Sequence, residues 1–311
     1  MTILLGHSDL TGLLSIDECL TALRDGFAAL PVPVTAQRVR TDLPGPGTAT
    51  ALIPGLLDGI PAYTVKVNAK FPGSVPALRG VVCLHDLNTG ALLAVLDSAT
   101  ITAWRTGLAA ALGTDRLARH DISEVGVIGA GAQARLVVDG LSRLRGIGGL
   151  TVHDLDGAKA AAFAGDSGRV AASPVEVAAR CDLVVLATWA RSPLLGRSDA
   201  RPGMHLTSLG ADEPGKAELD AELLRAAYVV VDDVGLASGA GALGTVGLGP
   251  EHAAATLGDI LRGTAPARTA AEQITVYAPV GLPWQDLALS WLAYRRALRT
   301  PGSGTAYDWL R

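Results

Sequence analysis

From residue 124 onward the chain alternates short apolar runs with helix-like stretches, and few folds accept that rhythm. Strand-like segments at 124–129, 150–154, 182–188, 203–209 and 228–232 bracket helical ones at 132–144, 156–164, 174–180 and 219–226. Such alternation argues for a parallel sheet with helices on both faces. A long helix rich in Ala and Leu is expected just before it, over residues 99–117, with Arg105 inside. Farther on, residues 252–262 read as helix, 274–278 as strand and 283–298 as a last helix that packs back onto the first domain.

The first strand of the series runs into Gly129-Ala130-Gly131-Ala132-Gln133-Ala134, which opens a helix. This is the G-x-G-x-x-A form of the dinucleotide fingerprint. Its first Gly makes the tight turn, the second lets backbone approach a pyrophosphate, and the small last residue lets helix and strand pack closely. The pyrophosphate would rest on the N–H groups at the helix start, where the dipole favours an anion. Gly129, Gly131, Ala132 and Gln133 are therefore the cofactor-binding candidates of this loop. The next strand ends in Asp154, 25 residues after Gly129, close to where an acid accepts ribose hydroxyls. An acid there repels a 2′-phosphate, so NAD is the expected cofactor, with NADP possible. The alternative is that Asp154 and Asp156 only cap the following helix, which suits either cofactor.

Before residue 98 the pattern differs. Residues 15–30 read as an amphipathic helix, with Ser15 as N-cap and Glu18 at the capping-box spacing. Strand-like runs follow at 37–43, 49–53, 62–68, 80–86 and 91–97, separated by turn chemistry such as Pro72-Gly73 and Asn88-Thr89-Gly90. A helix with a mostly antiparallel sheet is expected there. The fold class is α/β: a Rossmann-type parallel-sheet domain over residues 113–278, plus an α+β domain from residues 1–112 and 279–311.

With 311 residues, 49% of them hydrophobic and 18% charged, the chain reads as a soluble globular protein with one large or two modest cores. A net charge of −4 and the lack of any Lys/Arg run argue against nucleic acid and membrane surfaces as partners. The opening MTILLGHSDLTGLL has no basic run before a long apolar one, and no stretch reaches the ~18 apolar residues of a membrane span. Cys19, Cys83 and Cys181 are odd in number and far apart, so a reduced cytoplasm is the expected location, with each thiol a small buried apolar group. No His, Cys or carboxylate cluster has metal spacing, and no metal is expected. His85 and His205 fall on strands and read as satisfied core groups.

Four segments carry more specific information. They are Val39-Arg40-Thr41; Lys66-Val67-Asn68-Ala69-Lys70-Phe71-Pro72-Gly73; Thr89-Gly90 with Leu96-Asp97 and Ile101-Thr102-Ala103-Trp104-Arg105-Thr106-Gly107; and Gly210-Ala211-Asp212-Glu213-Pro214-Gly215-Lys216-Ala217-Glu218-Leu219-Asp220. Taken in order with the glycine loop and with Gly281-Leu282-Pro283-Trp284-Gln285-Asp286, they cover most of the chain. The ordered set resembles the ornithine cyclodeaminase/μ-crystallin family. That resemblance implies a two-domain homodimer whose first domain binds substrate and dimerises. It also implies hydride transfer between a nicotinamide and the Cα of a small amino or imino acid. Activities in the family include cyclodeamination of ornithine or lysine, alanine dehydrogenation and ketimine reduction, and one branch binds hormone.

Chemistry rationalises the residues carried over. A substrate α-carboxylate needs fixed cations, and guanidinium offers a bidentate fork, a role that Arg40 and Arg105 suit. Arg38 is the register rival of Arg40. Because Arg105 lies in an otherwise apolar helix, a buried anion partner is expected for it. Lys66 could bind carboxylate or handle protons at the amine, with desolvation lowering its pKa, whereas Lys70 is expected to stay solvated. Asp212, in a loop after a parallel strand, is the expected acid/base or iminium-stabilising carboxylate; the alternative is an ordinary loop Asp. Thr106, Thr188 and Asp286 are expected at the nicotinamide half.

Two departures bear on substrate. The position just before Leu52 where an acid for a side-chain amine is expected holds Ala51, and the late loop reads Gly239-Ala240-Gly241-Ala242 without a Glu. Both disfavour ornithine and favour a small or apolar side chain, or a cyclic imine with one carboxylate. An imine reductase or amino-acid dehydrogenase is therefore expected. A cyclodeaminase that releases ammonia and a non-catalytic, cofactor-dependent ligand binder are the alternatives.

Overall fold

In strands, side chains two residues apart share a face, so the alternating runs before residue 98 build a sheet with two distinct sides. The structure is a computed structural model that describes residues 1–29, 38–45, 48–71, 74 and 77–309. Chain order begins with β1 (Thr2–Leu5), α1 (His7–Leu13) and α2 (Ile16–Ala28). Next come β2 (Val39–Asp42), β3 (Ala49–Gly55), β4 (Ala62–Lys70), β5 (Leu78–Asp86), β6 (Leu92–Asp97) and the long α3 (Ser98–Leu117). Then follow β7 (Glu124–Ile128), α4 (Ala132–Leu144), β8 (Gly149–His153), α5 (Gly157–Ala164), β9 (Arg169–Val170), α6 (Pro174–Arg180), β10 (Leu183–Leu186) and β11 (His205–Ser208). The chain continues through α7 (Ala221–Ala226), β12 (Tyr228–Val231), α8 (Val234–Gly239), α9 (Ala242–Thr245), β13 (Ala255–Thr256), α10 (Leu257–Arg262) and β14 (Thr275–Tyr277). It closes with α11 (Pro283–Ala297) and β15 (Thr305–Tyr307).

Two compact units result: Met1–Thr106 with Leu282–Arg311, and Gly107–Gly281. The sequence-based boundaries, after 112 and before 279, lie within a few residues of these limits. In the first unit the described strands order as β15-β1-β6-β5-β4-β3-β2, antiparallel except for the β1–β6 pair. Along β4, Ala62, Thr64, Lys66 and Asn68 are buried on one face while Val67 on the other is exposed. Helix α11 lies against β3, β4 and β5, and α2, whose Cys19, Leu20, Leu23 and Phe27 are buried, packs on α11. Phe27 meets Trp284 edge-on with ring centroids 4.9 Å apart. A Cβ added at Gly26 would run into the Trp284 ring, so this glycine permits the helices to approach.

In the second unit the described strands order as β13-β12-β14-β11-β10-β7-β8-β9, and every pair is parallel. Near-continuous apolar runs such as Leu183–Leu186 suit strands covered on both faces. The chain leaves β7 toward β8 on one side and later returns to β10 on the other. That reversal opens a crevice at the carboxyl ends of β7 and β10, where open parallel sheets bind ligands. The Rossmann-type sheet plus α+β unit agrees with the expected fold class.

Some expectations need correction. Helix does not start at 252: a short bridge strand, β13, intervenes, and Thr256 with Asp259 forms a capping box that starts α10 at Leu257. Ser15 is the N-cap of α2, but its hydroxyl makes no capping hydrogen bond. β1, α1, α8, α9 and β15 were not anticipated, being short or weakly periodic. Gln37, Pro72 and Gly73 lie outside the described residues.

Gly26→Ala is expected to cost about 1–3 kcal/mol through overpacking against Trp284. Denaturant melts of the variant and parent would check this, and equal midpoints would refute the close-approach reading.

Candidate active site

At the centre of β4, Lys66 points to the buried face, between Ile53 on β3 and Val82 on β5. Its Nζ donates to Asp286 Oδ2 at 2.6 Å and to Thr102 Oγ1 at 3.4 Å. Asp286 stands in the first turn of α11, where the helix dipole favours a negative charge. Arg105 reaches the same carboxylate from α3, with Nε 3.4 Å from Oδ1, and donates through Nη1 to Gln285 Oε1 at 3.3 Å. All three charged side chains are nearly sealed from solvent, at 1%, 2% and 7% exposure for Lys66, Asp286 and Arg105. The buried anion expected beside Arg105 is thus Asp286. That residue was expected at the nicotinamide half; the structure places it beside the two buried cations, Lys66 and Arg105.

One carboxylate between two cations leaves a net positive charge when Lys66 is protonated. The Lys66 pKa is lowered from 10.5 to about 8: burial lowers it most, Asp286 pulls it back up, and the charges of Arg105 and Arg38 also lower it. Among the described residues, Asp286 is the carboxylate in ion-pair range of either buried cation. Arg105 Nε, Asp286 Oδ1 and Asn68 Oδ1 are buried without a hydrogen-bond partner among them. The register rivals separate here. Arg40 donates through Nε and Nη2 to Asp42 Oδ1 and is 43% exposed, whereas Arg38 is near enough for its charge to bear on Lys66. Thr106 follows Arg105 on α3 and is half-buried. Lys70 is half-buried at the end of β4, less solvated than expected. The row beside Lys66 reads Arg40, Ala51, Asn68, Gly80 across β2 to β5, with no acid.

The second unit holds the glycine loop. Gly129 has φ +94°, and a Cβ there would lie 2.6 Å from Ala187 O, so only glycine fits. Around Gly131, by contrast, an added Cβ would meet nothing within 4 Å. The protein's own packing does not require glycine at that position, whereas close approach of a phosphate does. Gly131 is the N-cap of α4 and supplies no side-chain cap, so the first N–H groups of the helix, Ala132 and Gln133 among them, suit an anion. The loop therefore fits a dinucleotide pyrophosphate. Asp154 fastens it: Oδ2 accepts from Ala130 N at 2.8 Å and Oδ1 from Asp156 N at 2.9 Å. Each oxygen keeps a second lone pair that a ribose hydroxyl could use. Capping of α5 falls to Asp156, which accepts from Ala158 N and Lys159 N.

Thr188 follows β10 at the crevice, but its hydroxyl is engaged internally. It donates to Glu218 Oε1 at 2.7 Å and accepts from Ala190 N at 3.2 Å. Asp212, in the loop after β11, accepts from Lys216 Nζ at 2.7 Å. Lys216 is nearly buried, also lies 3.4 Å from Glu213, and sits 4.8 Å over the Trp189 ring. Glu218 and Lys216 were missed from sequence. A usable signal was there, since Glu218 lies between Ala217 and Leu219, both buried, and an acid in such a place must be richly bonded.

Residues 2–300 match the ornithine cyclodeaminase/mu-crystallin family. The chain belongs to that family. It is 32% identical to an alanine dehydrogenase of Archaeoglobus fulgidus over 96% of its own length and 95% of the relative's. Two solved structures superpose with a TM-score of 0.91 at 29% identity. One is an archaeal alanine dehydrogenase dimer with bound NAD, matched over 99% of both chains. The other is the Δ1-pyrroline-2-carboxylate reductase of Thermococcus litoralis with NADH and L-proline, matched over 98% of this chain and all of that one.

His205 is fully buried between Thr275 and Thr207, and burial pushes its pKa down to about 3, so it stays neutral. His85 stacks on Tyr63. The three cysteines are unpaired, two of them buried, and burial pushes the Cys19 thiol up to about 12. No group of His, Cys, Asp and Glu among the described residues is arranged to hold a metal, and no helix among them is long and apolar enough to cross a membrane.

Because the Lys66 pKa falls from 10.5 to about 8 on folding, between those pH values the unfolded chain holds a proton that the folded one lacks. Stability from this residue therefore rises with pH across that window, by on the order of 2 kcal/mol. Comparing urea melts of the parent and Lys66→Met at pH 8 and pH 10 would read it. A constant difference between the two proteins would refute the depressed pKa.

Proposed function

We propose that the protein is an NAD-dependent oxidoreductase that moves hydride between the nicotinamide and the α-carbon of a small amino or imino acid. The observation that carries this reading is the pair of buried cations, Lys66 and Arg105, sharing the single carboxylate of Asp286. Such a pocket with surplus positive charge suits a substrate α-carboxylate, and Arg38 suits the role better than Arg40, whose guanidinium is turned to Asp42. NADH, when bound, supplies the hydride. Arg105 and Arg38 orient the carboxylate, and Asp286 holds both buried cations in place. Lys66 or Asp212 supplies the proton that the nitrogen needs as C=N becomes CH–NH, and takes it back in oxidation. Asp154 favours NADH over NADPH.

The Ala51 row supplies no anion for a second amine, so an open-chain or cyclic imine with one carboxylate is the favoured substrate and ornithine is disfavoured. The test is NADH oxidation with cyclic imine carboxylates, and with pyruvate or glyoxylate plus an amine. Asp212→Asn is expected to lose about 100-fold or more of that turnover. Turnover intact in the variant would remove Asp212 from proton transfer, and a preference for NADPH would overturn the Asp154 argument. Ammonia release with no net change in NADH would instead identify a cyclodeaminase. NADH binding without turnover of any of these would favour a ligand binder.

A homodimer is part of the proposal. On the outer face of the first sheet Val39, Leu52, Val67 and Val81 form one cross-strand row and are 50%, 46%, 37% and 38% exposed. An apolar row of this kind suits burial against a second copy. Light scattering should find a dimer for the parent and a monomer for Val67→Glu; a monomeric parent would refute this assembly.

A further inference from the structure

Among the described residues, one carboxylate lies buried without an ion-pair partner beside the carboxyl ends of β10 and β11. Glu218 is fully buried, and each oxygen serves a different strand. Oε1 accepts from Thr188 N and from Thr188 Oγ1, both at 2.7 Å, just past β10. Oε2 accepts from Ser208 Oγ and from Gly210 N, both at 2.8 Å, at the end of β11. Its main-chain carbonyl accepts from Leu194 N at 2.8 Å, which fixes the residue from behind. All four side-chain partners are neutral donors, and among the described residues no Lys or Arg pairs with it. Burial pushes its carboxyl up while these hydrogen bonds pull it down.

We propose that Glu218 is a positioning residue that sets the crevice edge by fastening Thr188 and the Gly210–Asp212 turn to one carboxylate. The inference rests on the proposed function for what that edge does, and on this geometry for how it is held. A glutamine has an acceptor at one end of its amide and donors at the other, so it would face two N–H or O–H groups at one strand end with hydrogens. Only a carboxylate offers acceptors to both. Close packing transmits its position in two directions. A Cβ on Gly129 would lie 2.9 Å from Thr188 Cγ2, so Thr188 borders the glycine loop. Gly210 has no room for a Cβ between Thr188 O and Glu218 Oε1, and Asp212 follows two residues later. A strand end released by 1 Å would misplace groups whose alignment governs hydride transfer, a loss of roughly 100-fold.

The test compares the parent, Glu218→Gln and the milder Ser208→Ala, all full length. Amide hydrogen exchange of the cofactor-free protein comes first. Glu218→Gln should lose protection at 187–190 and 208–213 while the interior of the sheet stays protected. Ser208→Ala should lose it at 208–213 alone, which keeps the test alive if Glu218→Gln does not fold. Fluorescence titrations should then show Glu218→Gln weakened about 10-fold or more for NADH with ADP-ribose binding nearly unchanged, and turnover should drop roughly 10–100-fold at saturating NADH. Unchanged exchange in both variants would overturn the inference. So would uniform loss of protection with equal weakening of NADH and ADP-ribose, because that pattern describes general destabilisation. A parent that turns over no imine would sink the proposed function, yet the exchange and binding comparisons would still judge Glu218.

Discussion

Lys66, Asp286 and Arg105 form the interaction on which the first unit depends. An isolated ammonium or guanidinium in a dry interior is costly, and removing one partner of a buried pair leaves an uncompensated charge. Here β4, α3 and the start of α11 each bring one charge to a common point, so these elements must stay in register for any of the three charges to be tolerated. The arrangement is not neutral. With Lys66 protonated, two cations share one carboxylate, so the cluster carries a surplus positive charge in a dry interior. Stability alone would have been better served by apolar residues of similar volume.

Glu218 plays the corresponding part in the second unit with hydrogen bonds in place of ion pairs. The reversal of strand order opens the crevice, and the carboxylate ties down the two chain segments that leave β10 and β11 beside it. Asp154 does the same for the glycine loop through Ala130 N. Backbone N–H groups that would otherwise be unsatisfied are thus held by buried or half-buried acids.

Much of this was legible in the linear chain. Period-two alternation located β2 to β6 within a few residues, and the apolar runs after residue 124 located β7, β8, β10, β11, β12 and β14, because burial on both faces demands them; the two-residue strands β9 and β13 were not anticipated. Lys66 and Arg105 were identifiable as cations in apolar surroundings, where a charge must have a reason to be. Less was legible where the partner is remote. Asp286 lies 220 residues from Lys66, and nothing local distinguishes a helix-start Asp that meets a cofactor from one that neutralises a buried lysine. Arg38 and Arg40 share a strand face by period, and only the tertiary structure shows Arg40 bonded to Asp42 and the charge of Arg38 acting on Lys66. Thr188 was readable as the last residue of a strand-like run, but not as a hydroxyl already committed to Glu218.

By itself the sequence determined the class of fold, the dinucleotide loop and the residue types available for a carboxylate-binding site, because periodicity and glycine placement are local properties. Family membership, too, was carried by motifs in order. Tertiary structure alone decided which charges meet. Hydrogen bonds and ion pairs act over about 3 Å, and only the packing of α11 on β4, and the adjacency of β10 and β11, brings residues so far apart in the chain within that reach.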